Sequence, residues 1–299
     1  MSKFYIGPAG WTYDDWTGVV FPSEPSRRFD PLEFIAQRFN AIEINTSFYH
    51  IPPVKNVESW CRRIAFREDF LFTVKLWKGF THERRWADED LAQMLAALDG
   101  FAQAQRLGCV LLQFPWSFRQ NQKHLEFLRE MIALFKSFPL AVEVRHNNWY
   151  RTEYVEFLKA SGIAFVNVDQ PLVSENLALT REATAPFTYL RLHGRNADHW
   201  FNEESGPNDR YNYLYSPREQ RDIVDVAQEL AKRSQKVFLI ANNHFRGQAV
   251  ANAAELQAEL TGVMPPLPAS LTELYPQILR LGAAPESQNP DDGEQLSLF

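Results

Sequence analysis

The sequence predicts a (β/α)8 TIM barrel carrying a disordered C-terminal tail. Three observations predict it: eight short runs rich in β-branched and aromatic residues, a stretch of helical periodicity after most of them, and no glycine-rich phosphate loop after the first run, where a doubly wound sheet would carry one. At 299 residues, 45% hydrophobic and 23% charged, the chain is long enough for one large core.

The runs, in order, are FYIG (4–7), AIEIN (41–45), LFTVK (71–75), VLLQ (110–113), AVEVR (141–145), AFVNVD (164–169), TYLRLH (188–193) and VFLIAN (237–242). Helices are predicted over 31–39, 88–107, 122–137, 152–161, 217–234 and 248–260. Asp30 and Ser216 each precede a proline, and Asp88 precedes a long amphipathic stretch, so all three suit N-caps. Gly108 and Gly162 stand where helix ends are expected. Past about Gly282 the composition turns to Ala, Pro, Glu, Ser, Asn, Asp and Gly, which buries too little surface to order itself. The expected organisation is therefore a barrel domain over 1–282 and a disordered tail over 283–299.

Acidic residues outnumber basic ones by 37 to 31, a net charge of −6, so the field of the whole molecule does not favour a polyanion. Contact with nucleic acid would need a local basic surface or an outside recruiter. Cys61 and Cys109 lack metal-ligand spacing and read as buried thiols in a reducing compartment. The start MSKFYIGPAGW does not read as a signal peptide, and no run reaches the roughly 18 apolar residues of a membrane span, so a cytoplasmic protein with no membrane partner is expected.

Alternate residues of a barrel strand face the helix layer and the lumen. With Ile42, Ile44, Val142 and Val144 toward the helices, Glu43, Asn45, Glu143 and Arg145 face inward. The same reading sends Thr73, Lys75, Gln113, Asn167, Asp169, Arg191 and His193 into the lumen. Barrel interiors ordinarily fill with Val, Ile and Leu, and an unpaired buried charge costs several kcal/mol, so polar residues gathered at strand C-termini point to a ligand pocket. A closed ion-pair network, with Glu43 and Glu143 neutralised by Lys75, Arg145 and Arg191 and no ligand, is the competing structural reading.

Lys75, Arg145, Arg191 and His193 supply donors for an anion such as phosphate, with Asn45, Gln113, Arg195 and Asn243 as further contacts. Glu43, Glu143, Asp169 and His193 are the catalytic candidates, as a general base or as ligands of a divalent metal. No HExxH or similar spacing occurs, so the ligand spacing does not indicate a metal and the cofactor stays open. A paired-carboxylate attack on a glycosidic bond, with Trp11, Trp77 and Trp149 as sugar platforms, is a further alternative.

GPAGWTYDDW, FNAIEINTSFYHIP, FTVKLWKGFTHERR, LLQFPWSF, AVEVRHNNW, YLRLHGR and ANNHFRGQAVANA occur in this order and together resemble the YecE-like family, domain of unknown function 72. The likeness runs from about Phe4 to Leu260 and implies a TIM barrel. The chain departs from the family pattern at GPAGW, where GTSGW is commoner, and at Ala241, which replaces an aromatic before Asn242 and Asn243. The family's barrel is similar to that of apurinic endonuclease IV, which implies DNA as a candidate partner. That enzyme's metal cluster is rich in histidine, and this chain has too few histidines at the expected mouth to copy it.

The final pentapeptide QLSLF, with Gln295, Leu296, Leu298 and Phe299, resembles the bacterial sliding-clamp-binding motif at all five positions. Such a motif needs a glutamine that hydrogen-bonds in a small pocket and a Leu-Phe pair that fills an apolar cleft, on a polar tether. Docking of the same apolar residues on the chain's own barrel is the alternative. Taken together, the expectation is a clamp-recruited DNA-metabolism or repair enzyme, hydrolase-like, acting on a phosphodiester or other phosphate-bearing substrate, with DNA or a phosphate-bearing small molecule as the partner. A non-catalytic clamp adaptor and a sugar or sugar-phosphate enzyme are the alternatives.

Overall fold

The structure is a computed structural model that describes residues 2–202, 206 and 208–282, and the backbone of Pro285 and Glu286. Eight parallel strands form the barrel: β1 (Lys3–Pro8), β2 (Ala41–Ile44), β3 (Leu71–Lys75), β4 (Leu107–Gln113), β5 (Leu140–Glu143), β6 (Ala164–Asp169), β7 (Phe187–Leu192) and β8 (Lys236–Ala241). Each coincides with one of the eight expected runs. Neighbours pair in sequence order, and β1 pairs with β8. Between β1 and β2 the ladder is thin. There the Asn40 side chain accepts from the Ile6 amide at 2.8 Å and donates to the Phe4 carbonyl at 2.9 Å, and the Gly10 amide donates to the Glu43 carbonyl at 2.8 Å.

Nine α-helices are described: α1 (Pro31–Arg38), α2 (Val54–Arg63), α3 (Asp88–Gln103), α4 (Gln122–Phe135), α5 (Thr152–Ala160), α6 (Ala197–Trp200), α7 (Pro217–Ala231), α8 (Gln248–Thr261) and α9 (Ala269–Leu274). Asp30 and Ser216 cap α1 and α7 as expected; the Asp30 carboxylate accepts from the amides of Leu32 and Glu33 at 2.9 and 3.1 Å. Gly162 follows α5 with φ +66°, the left-handed geometry a helix end asks of glycine.

Two expected boundaries are corrected. Asp88 is the first residue inside α3, not its cap; Ala87 is the cap, and the Asp90 carboxylate accepts from the Ala87 amide at 2.8 Å. The helix ends at Gln103, before Gln105 turns left-handed at φ +57°, and Gly108 lies inside β4. A Cβ at Gly108 would sit 2.8 Å from the Phe238 ring, so this glycine serves lumen packing and not a helix end.

The core has two parts. A large outer layer joins helices to the outer strand faces, through residues such as Ile42, Val142, Phe165 and Leu239. A smaller cluster fills the lumen with Tyr5, Cys109, Leu111, Val166, Val168, Tyr189, Phe238 and Ile240. Both cysteines are free, Cys109 buried and Cys61 partly so. The expected clamp motif, Gln295, Leu296, Leu298 and Phe299, lies outside the described residues. Among the described residues, no helix is long and apolar enough to cross a membrane.

Candidate active site at the barrel mouth

Above the apolar plug the lumen turns polar. β2 contributes Glu43, β5 Glu143 with Arg145 just beyond it, β7 Arg191 with His193 just beyond it, and β3 Thr73 and Lys75. Glu43, Glu143, Arg191 and His193 are wholly buried. Arg191 bridges the two carboxylates: its Nε and Nη2 donate to Glu43 at 2.8 and 2.6 Å, and its Nη1 donates to Glu143 Oε2 at 3.0 Å. Tyr189 Oη donates to Glu43 Oε2 at 2.7 Å, and Arg145 Nε donates to Glu143 Oε1 at 3.1 Å. Every carboxylate oxygen in the floor thus has a donor, which is the condition for burying two anions without a large desolvation penalty.

The electrostatics follow from this pairing. Burial pulls the Glu143 carboxyl upward, but Arg191 beside it prevails and holds it well below the ordinary carboxylate range. Burial works against the Arg191 cation, yet Glu43 and Glu143 carry its pKa well above the usual value. His193 is driven down to about 3 by burial and then by Arg145, so its imidazole is neutral at neutral pH. Its Nδ1 lies 3.0 Å from the Asn242 amide nitrogen and its Nε2 lies 3.3 Å from Glu143 Oε1.

A cavity of about 870 Å³ opens over this floor. Asn45, Lys75, Gln113, Arg145 and Arg191 line its base. Trp11, Phe48, Trp116, Phe201 and Tyr211 form its walls, with Arg210 among the lining residues. Lys75 points its Nζ at the Phe48 ring, 3.8 Å from the centroid. Burial, then the Arg191 charge, push its pKa down to about 7. His82, on a single π-helical turn at Gly79–Glu83, is pushed to about 4 by burial first and then by Lys75. A second cavity of about 470 Å³ lies away from the mouth, between Asn147 and Glu182; its one basic side chain, Arg181, is already paired with Glu229.

The sequence-predicted residues fall into three groups. Asn45, Lys75, Gln113, Arg145 and Arg191 line the cavity; Glu43, Glu143 and His193 lie beneath it as the buried layer that holds Arg191 and Arg145 in place. Asp169, Asn167, Arg195 and Asn243 are elsewhere. In β6 it is Val166 and Val168 that face the lumen, so Asn167 and Asp169 point outward, the reverse of the expected alternation. The reason is that no helix joins β6 to β7: the connection 170–186 folds back beside β6, and Asn167 binds it by accepting from Thr180 Oγ1 at 2.7 Å and the Glu182 amide at 2.7 Å.

Asp169 binds Arg195 through three contacts of 2.6 to 3.2 Å and accepts from Tyr215 Oη at 2.7 Å, while Arg195 also reaches Glu219 at 3.3 Å. Asn243 donates to the Tyr213 carbonyl and to Asn252 at 2.8 and 2.9 Å. These side chains brace the loop after β7. Of the three tryptophans considered as platforms, Trp11 lines the cavity, whereas Trp149 is fully buried and donates to the Phe118 carbonyl. Trp77 packs edge-on against Phe80.

Among the described residues, no three His, Cys, Asp or Glu side chains come together as metal ligands. Glu43 and Glu143 spend their oxygens on Arg191, Arg145, Tyr189 and His193, and Asp169 faces away from them.

Several lining residues escaped the sequence reading. Asn242 is the next inward position of β8 after Phe238 and Ile240, so the alternation that found Lys75 finds it too. Tyr13 and His244 stack at 4.3 Å beside the cavity, and His82 arrives on an irregular turn; no periodic signal marks these three.

With a 25% identical DUF72 family protein of Enterococcus faecalis, the structure shares a TM-score of 0.75 over 86% of this chain and 95% of that one. With a DUF72 family protein of Thermotoga maritima it shares 32% identity and a TM-score of 0.76, over 86% of this chain and 99% of that one. The UPF0759 protein YunF of Bacillus subtilis is 29% identical over 280 residues, 87% of this chain and 97% of the relative. Residues 5–272 match the family described as "Protein of unknown function DUF72", and the chain belongs to that family.

Proposed function

We propose that the barrel mouth is the active site of an enzyme acting on a small phosphate-bearing substrate. The observation that carries this reading is a cationic floor whose carboxylates are already engaged: Glu43 and Glu143 are held by Arg191 and Arg145, leaving Lys75 and the outer edge of Arg145 facing the cavity. Buried cations of this kind, with the amides of Asn45 and Gln113 beside them, recognise a phosphate by charge-assisted hydrogen bonds. The aromatic walls favour a substrate whose base or sugar ring stacks against Trp11, Trp116 or Tyr211.

The test is calorimetric titration at low salt with inorganic phosphate, nucleoside monophosphates and sugar phosphates. Binding by one of these classes is expected, weakened at least about tenfold in Arg145→Ala through the lost charge-assisted contact. If none of the anions binds the wild-type protein at millimolar concentration, the reading is wrong.

A second reading concerns where the enzyme works, and the terminal QLSLF favours it. Recruitment to the bacterial sliding clamp would place this acidic chain beside DNA and make a phosphodiester or damaged nucleotide its substrate. Clamp binding is the measurement that decides it.

A further inference from the structure

The anion reading counts Lys75 only as one basic group beside the cavity, yet its surroundings suit a chemical task of its own. Lys75 is the last residue of β3, and its backbone is fixed by Ser47, whose Oγ donates to the Lys75 carbonyl at 2.6 Å. Its side chain is nearly buried yet lines the cavity. Among the described residues, no carboxylate stands within ion-pair distance of its Nζ. The two that could neutralise it, Glu43 on β2 and Glu143 on β5, direct their oxygens to Arg191, Arg145, Tyr189 and His193. Arg191 on β7, Arg145 after β5 and His82 on the Gly79–Glu83 turn surround it with further basic groups.

We propose that Lys75 is a catalytic nucleophile that forms an imine with the carbonyl group of an anionic substrate. A lysine amine reacts only when unprotonated, and burial among cations without a counter-ion favours that form. Its depressed pKa, about 7, agrees with the geometry. In the step, the Nζ lone pair attacks the carbonyl carbon and the amine's proton moves to the carbonyl oxygen. The resulting carbinolamine loses that oxygen as water, leaving a C=N bond. Amine and carbonyl give imine and water, with no change of oxidation state, and water reverses the step. The substrate class is a phosphorylated aldehyde or ketone, its phosphate held against Arg145 and its carbonyl directed to Nζ beside Phe48. The choice of phosphate rests on the anion reading; the nucleophilic amine does not.

The experiment is reductive trapping on the full-length chain. The protein is incubated near pH 7 with pyridoxal 5′-phosphate or D-glyceraldehyde 3-phosphate, reduced with borohydride, digested and mapped by mass spectrometry. An ordinary lysine titrates near 10.4 and is almost wholly protonated at this pH, so Lys75 is expected to trap at least about tenfold faster than exposed lysines such as Lys55. Lys75→Arg keeps a cation and should abolish that adduct, and Lys75→Met serves if the arginine variant does not fold. Inorganic phosphate should slow trapping at Lys75. If trapping at Lys75 persists unslowed by phosphate, the lysine assignment stands and the anion reading falls. Phosphate binding that is lost in Arg145→Ala, with both carbonyl probes labelling only surface lysines, overturns the lysine assignment alone.

Discussion

His193 shows at the scale of one residue how the floor is tuned. Its folded pKa of about 3 lies below the ordinary histidine value near 6.5, because burial and Arg145 oppose the imidazolium. The folded state therefore favours the neutral ring. The resulting stability is present above pH 6.5 and drains away as pH falls toward 3, since the unfolded chain takes up the proton first. Between pH 7 and 5 this one side chain is expected to withdraw about 2 kcal/mol. His244 and His82, each held near 4 by burial, act in the same direction. Urea unfolding of wild type and His193→Gln at the two pH values isolates the share of His193, with the variant expected to lose about 2 kcal/mol less on acidification. Equal losses in both proteins would mean that His193 takes up its proton in the fold at the same pH as in the unfolded chain. The residues of this network were legible wherever polar and apolar side chains alternate along a helix-covered strand, as in Glu43 and Asn45 against Ile42 and Ile44. The same rule failed at Asn167 and Asp169, because the connection after β6 folds back beside that strand with polar partners for Asn167, and alternation cannot say which side is out.

At the scale of elements, the barrel closes where it is weakest. β1 and β2 approach so closely that a Cβ on Gly7 would fall 1.8 Å from the Ala41 carbonyl oxygen. Only a residue without a side chain lets Asn40 clip the two strands together. Gly7→Ala must push β1 from β2, and with it the Gly10 to Glu43 contact that helps fix Glu43 under Arg191. The expected cost is about 3 kcal/mol or more, beyond ordinary overpacking because the obstacle is backbone. Denaturant unfolding measures it, and a variant within about 0.5 kcal/mol of wild type would show that the strands separate freely. Strand order, the eight runs and the caps at Asp30 and Ser216 could be read from local chemistry. Gly108 could not, because a glycine that makes room for Phe238 across the lumen looks in sequence like one that ends a helix. The short α2 was likewise missed, its surface being mostly polar with Val57 its one buried side chain.

At the scale of the whole molecule, the question is how a chain of net charge −6 would reach a phosphate polymer. With acidic residues in excess, its field at a distance repels a polyanion, so unaided encounter with DNA would be slow and weak. The QLSLF ending offers a route that needs no surface charge. A clamp encircling the duplex would hold the barrel nearby at an effective concentration of order mM, enough to offset a weak intrinsic affinity. Calorimetric titration of the full-length protein into the bacterial sliding clamp is expected to give micromolar or tighter binding. Changing Leu298 and Phe299 together to Ala should remove it, because these two would fill the apolar cleft, while phosphate binding at Arg145 should stay unchanged. Loss of both activities in the double variant would place the pentapeptide on the barrel itself. No clamp binding by the intact protein would confine the proposed substrates to small phosphate-bearing molecules that reach the cavity by diffusion.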